Sequence, residues 1–154
     1  MSQLSNFTFD EITLGQSAEY SKAVTEADIQ MFAAVSGDVN PLHLDPEFAA
    51  GTRFGERIAH GMLTASFISA ALAMELPGPG CIFMEQSLKF RLPVKIGDVI
   101  TVKLTVTDMQ ARRKTLTLDC KAYNQEDKLV LTGTSLVIAP EEKRVLKRPS
   151  LPAN

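Results

Sequence analysis

Between His60 and Pro77 lies a run, Met62 to Leu76, that is rich in Ala and Met and apolar on nearly every face of a helix. A helix of about 15 residues is ~22 Å long, and one that is apolar all round must be covered on most sides. Pro77-Gly78-Pro79-Gly80 stops it abruptly. The run holds Thr64, Ser66, Ser69 and Glu75 and falls short of the ~18–20 apolar residues of a membrane span. It is therefore expected to be a buried helix. Ala65, Ala70, Ala71 and Ala73 let a sheet come close to it.

The sequence supplies that sheet. Cys81 to Leu92, Asp98 to Asp108, Thr115 to Asn124 and Lys128 to Ile138 alternate or are rich in β-branched residues. Thr101 to Thr107 alternates almost strictly, which places one face in a core and one in water. The breaks at 93–97, 110–114 and 125–128 are short enough for antiparallel hairpins. Upstream, Ser17 to Val24 reads as a first strand. Thr25-Glu26-Ala27-Asp28 resembles a capping box for a helix that Gly37 ends after Ser36. Asp38 to Pro46 holds two prolines and reads as irregular, and Pro46 to Ala50 as a short helix with Pro in its first turn. The order predicts an α+β fold with the long helix against the concave face of a twisted antiparallel sheet. Residues 1–140 read as one domain and 141–154 as a charged, frayed tail.

Composition narrows the function. With 45% hydrophobic and 22% charged residues and a net charge of −2, no global field favours nucleic acid or an anionic membrane. Cys81 and Cys120 lie far apart with no metal or redox spacing. Met1 to Glu11 lacks a basic segment followed by an apolar run. A reduced, cytoplasmic protein is expected.

The densest polar segment is Ser36-Gly37-Asp38-Val39-Asn40-Pro41-Leu42-His43-Leu44-Asp45-Pro46. On a helix Asp38 and His43 would point ~140° apart, and extended they would be over ~15 Å apart. A turn at Pro41 can bring carboxylate and imidazole within reach of one water. An imidazole with a pKa of ~6.5 is mostly neutral at neutral pH and can accept a proton as supplied. The alternative is a loop stitched by Asp, Asn and Ser side chains. Calcium fits poorly, because Pro41, His43 and Ala49 stand where a calcium loop needs other residues. Zinc needs more ligands than His43 and nearby carboxylates, and no second His or Cys has ligand spacing. No metal is expected. Gly61 opens the long helix, where its N–H can meet a ligand oxygen at the positive end of the dipole; equally, it can serve only as a tight turn. Ser69 lies more than two turns on, where a serine usually bonds back to a carbonyl.

At this point a resemblance emerges. Phe32 to Ala49, through Ser36-Gly37-Asp38-Val39-Asn40-Pro41-Leu42-His43, resembles the signature of the R-specific enoyl-CoA hydratases, also called hydratase 2 or MaoC-like dehydratases. His60-Gly61-Met62-Leu63 and Phe90-Arg91-Leu92-Pro93-Val94-Lys95-Ile96-Gly97-Asp98 resemble further blocks of that family. The resemblance implies a hot-dog fold, a sheet wrapped around a central helix, and a homodimer with a thioester tunnel near the interface. It implies that Asp38 and His43 activate a water, that Gly61 N–H polarises the thioester carbonyl, and that Ser69 and Asn40 orient the site. The product would be an R-3-hydroxyacyl-CoA, with CoA as part of the substrate and no separate cofactor; fatty acid metabolism, polyester monomer supply and small-acid metabolism would all use this reaction, so the pathway stays open. Which of the pair is acid and which base stays open. For the CoA phosphates, Arg112, Arg113 and Lys114 form the tightest basic cluster, with Arg53, Arg57, Lys89 and Arg91 as rivals.

Competing functions are an acyl-CoA thioesterase, which would release free thiol, and a non-catalytic acyl-thioester-binding protein. The carrier, CoA or acyl-carrier protein, is open, as is the acyl length, for which Leu72 and Met74 are tunnel candidates.

Overall fold

The computed structural model describes residues 2–151. The β-periodic segments form β3 (Ile82–Phe90), β4 (Val99–Gln110), β5 (Thr115–Tyr123) and β6 (Leu129–Ile138), and the early strand is β2 (Ser17–Ala23). They make one antiparallel sheet in the order β2-β4-β5-β6-β3. A two-stranded sheet pairs β1 (Gln3–Ser5) with β7 (Val145–Lys147). The helices are α1 (Glu26–Ser36), the short α2 (Pro41–Leu44) and α3 (Pro46–Ala50), and the long α4 (Gly61–Met74). None of the helices among the described residues is long and apolar enough to cross a membrane.

Alternation decides which side of the sheet is buried. Ile100, Val102, Leu104 and Val106 of β4 and Leu116, Leu118, Cys120 and Ala122 of β5 all point into the core. Phe67, Ile68, Ala71 and Leu72 of α4 enter the same cluster. The sheet wraps α4 as expected, but the cover is not complete: Met62, Ser66 and Ser69 are exposed along one side of the helix.

Thr25 caps α1 as its sequence predicts. Its hydroxyl accepts from Asp28 N at 3.1 Å, and Asp28 Oδ2 accepts from Thr25 N at 3.0 Å. Gly37 ends the helix at φ 79°, a left-handed conformation that glycine adopts without steric cost.

Three expectations change. First, 93–97 is no hairpin: β3 pairs with β6, at the opposite edge from β2 and β4's shared side. The segment after β3 pairs elsewhere, with Ala59 N donating to Val94 O and a bridge between Ile58 and Lys95. Second, Asp38 to Pro46 is not wholly irregular. Pro41 ends nothing; it starts α2, where a missing N–H leaves no bond unmade. Third, the tail is not simply frayed, because 145–147 is a strand. Buried Asn6 ties it down: its amide donates to Pro79 O and Glu142 O, and its Oδ1 accepts from Arg144 N.

Candidate active site

The loop after α1 places Asp38. Ser36 Oγ donates to Phe32 O and accepts from Asp38 N. The Asp38 carboxylate is exposed, with Oδ1 accepting from Asn40 N at 3.2 Å. Asn40 in turn caps α2, its Oδ1 accepting from Leu42 N at 3.0 Å. Asn40 thus orients both candidate groups: its backbone holds the carboxylate, and its side chain starts the turn that carries His43.

His43 is buried, and its Nδ1 lies 2.8 Å from the Ile58 carbonyl oxygen. A carbonyl can only accept, so Nδ1 carries the proton, and the neutral ring has its lone pair on Nε2. Arg57 secures the contact from behind. Its Nε donates to His43 O at 2.7 Å and its terminal nitrogen pairs with Glu26 Oε1 at 2.9 Å. The guanidinium holds the Glu26 carboxyl below the usual carboxylate range. Arg57 is thereby a brace between α1, α2 and the 57–59 segment.

His60, read in the sequence only as the neighbour of Gly61, belongs to this cluster. Its Nε2–H donates to the Asp38 carbonyl at 3.0 Å. Its ring stacks on His43 at 4.0 Å between centroids and meets Phe32 at 4.8 Å on the other side. The signal that could have found it was plain: the chain has two histidines, and the second directly precedes the glycine singled out for its N–H.

One donor atom each from Asp38, His43 and His60 lies within 4.8 Å of the others. The fold therefore supplies the second histidine that the spacing did not reveal. Zinc binds an imidazole nitrogen at about 2.0–2.1 Å, along its in-plane lone pair. Rings stacked with their planes only 31° apart do not turn two such lone pairs on one ion. The arrangement suits proton transfer better than metal chelation.

Beside the cluster is a cavity of about 230 Å³, lined by His43, Gly61, Thr64, Phe90, Arg53 and Arg91 among others. Gly61 is the first residue of α4, so its N–H has no acceptor within the helix. A side chain there would meet Phe90: a Cβ on Gly61 would lie 2.9 Å from Phe90 Cε1. Any larger residue would have to displace the Phe90 ring. Ser69 is exposed further along α4 and does not line this cavity.

Arg112, Arg113 and Lys114 sit at the β4–β5 turn, beside the Ile138 end of β6, whereas the cavity touches Val130 near its other end. Eight residues of strand separate these ends by ~26 Å. Lys114 lies over the Phe9 ring at 5.1 Å. Of the rivals, Arg53 and Arg91 line the cavity, and neither makes an ion pair among the described residues. Lys89 is exposed on β3 and does not line it.

The two histidines should show opposite tautomers. Long-range ¹H–¹⁵N spectra at about pH 8, above the ordinary imidazole pKa of ~6.5, are expected to show His43 protonated at Nδ1 and His60 at Nε2. His43 protonated at Nε2 would remove it as a base at that atom.

Known proteins match this sequence and this fold. The MaoC like domain model matches residues 10–126. The (R)-specific enoyl-CoA hydratase of Rhodospirillum rubrum is 46% identical over 132 residues, covering 86% of this chain and 91% of that protein. Among solved structures, unliganded R-hydratase PhaJ1 from Pseudomonas aeruginosa superposes with a TM-score of 0.94 at 46% identity, covering 99% of this chain and 98% of the other. The (R)-hydratase of A. caviae involved in PHA biosynthesis gives 0.81 at 44% identity, covering 84% and 98%. The wrapped helix is that of the hot-dog fold, and the chain belongs to the MaoC-like domain family.

Proposed function

We propose that this protein hydrates trans-2-enoyl-CoA reversibly to R-3-hydroxyacyl-CoA. The observation that carries the reading is the His43 Nδ1–Ile58 contact, which leaves a lone pair on Nε2 of a ring that clusters with the Asp38 carboxylate, one donor atom of each lying within 4.8 Å of the other. In this reading Nε2 takes a proton from water as the oxygen bonds to the β-carbon. The double-bond electrons move toward the thioester oxygen, which faces Gly61 N–H, and the α-carbon then takes a proton from the Asp38–His43 pair on the same face. Asp38 holds the second hydrogen of the water and offsets the imidazolium charge. Two hydrogens and one oxygen enter the product, and the pair returns to its starting state. The R configuration is supported by the names of the hydratase relatives.

Two further features belong to this reading. Arg53 and Arg91, at the cavity and unneutralised, are the cations that suit the phosphates of CoA. β3 is one of the two edge strands of the sheet, and Ile82, Met84 and Phe90 along it are 55%, 54% and 53% exposed. A long apolar edge invites strand pairing, which supports a homodimer formed through β3.

Three experiments test these points. Crotonyl-CoA should lose its enoyl-thioester absorbance without release of thiol, and Asp38→Asn or His43→Ala should each lower kcat by at least about 10²-fold with the fold retained by circular dichroism. Thiol release would indicate a thioesterase, and near-normal turnover in either variant would defeat the assignment. Arg53→Gln with Arg91→Gln should raise KM for crotonyl-CoA while leaving crotonyl-pantetheine unaffected, and glutamines at 112–114 should change neither. Equal effects on both substrates would remove the arginines from phosphate binding. Sedimentation should give a dimer that Met84→Asp shifts toward monomer; a wild-type monomer would rule out the β3 interface.

A further inference from the structure

Two buried side-chain polar atoms among the described residues have no hydrogen-bond partner, His60 Nδ1 and Thr64 Oγ1. They lie four residues apart where α4 begins, on either side of Gly61 in sequence. Thr64 is 2% exposed, yet it lines the cavity that holds Gly61 and His43. A hydroxyl in a helix ordinarily bonds back to a carbonyl of the preceding turn. Ser66 does so, donating to Leu63 O. Thr64 does not: the carbonyl one turn back, that of His60, accepts only from Leu63 N and Thr64 N. A buried hydroxyl left unpaired opposes folding, and such groups call for an explanation in a ligand or a catalytic role.

Direction supplies one. Cα–Cβ bonds in a helix tilt toward its N-terminus, so the Thr64 side chain leans over the turn that Gly61 opens. Gly61 and Thr64 therefore line one cavity from the same end of the same helix. His43 and Asp38 come from a different segment. We propose that Thr64 is a catalytic residue whose hydroxyl donates to the thioester carbonyl oxygen of the bound substrate, as a second donor beside Gly61 N–H. This rests on the enoyl-thioester reading of the site. Two donors aimed at the oxygen that gains charge stabilise it more in the transition state than in the ground state. The effect therefore falls on kcat more than on KM.

Thr64→Val keeps the shape and removes the hydroxyl; Thr64→Ser keeps the hydroxyl. With crotonyl-CoA, Thr64→Val should lower kcat by roughly 10-fold with little change in KM, and Thr64→Ser should restore most of it. The melting temperature of Thr64→Val should be unchanged or higher, since no protein partner is lost. Bound butyryl-CoA, a saturated thioester that cannot be hydrated, reports on the carbonyl directly. Its C=O stretching frequency should be lower on the wild type than on Thr64→Val. Wild-type kcat in Thr64→Val, or an unchanged carbonyl frequency, would overturn the role. Failure of the wild type to hydrate crotonyl-CoA would instead overturn the function on which it rests.

Discussion

Everything else in the molecule hangs on the burial of α4 inside the curve of the sheet. Ile68 and Leu72 are each 1% exposed and Ala71 is 0%. Each large aliphatic side chain removed from water in this way contributes about 1.5–3 kcal/mol. Because its middle is fixed by Ile100, Leu104 and Leu118 of the sheet, the N-terminus of α4 has a fixed position too. Gly61, His60 and Thr64 inherit that position, and the Asp38 loop is tied to it through His60 Nε2. The exposed part of the site is thus fastened to the buried core of the fold.

Much of this was legible from residue pattern. The all-apolar run and the period-2 segments gave helix and strands within a few residues, because burial on one or more faces leaves a direct mark on sequence. Asp38 and His43 stood out for lying in one short polar segment, and Gly61 for opening a helix. The pairing of β3 with β6 was not legible, since loop length permits a hairpin but does not choose between partners. Here the segment after β3 is diverted to pair with 58–59. The strand at 145–147 was hidden for a related reason: three residues carry no period, and a distant side chain, Asn6, holds them.

Within the site, what sequence concealed was through-space proximity. His60 is 17 positions from His43, and no spacing rule joins them; a stacked pair of rings does. The basic residues show the same limit. Arg112-Arg113-Lys114 is conspicuous as a string of letters, yet it caps the far end of the sheet. Arg53 and Arg91 are scattered in sequence and meet at the cavity. Arg57, a neighbour of Arg53 in the chain, is taken up by His43 O and Glu26.

The contact between Gly61 and Phe90 joins two regions that otherwise have separate duties. Phe90 is the last residue of the edge strand β3, and its ring lies where a side chain on Gly61 would stand. The turn that presents the N–H and the strand that presents the outer edge therefore share one surface. Whatever settles β3 also settles one wall of the cavity. With the β3 dimer proposed above, self-association and ligand affinity would be coupled quantities, and the coupling must be equal in both directions: if pairing at the edge tightens the cavity, an occupied cavity tightens the pairing to the same degree.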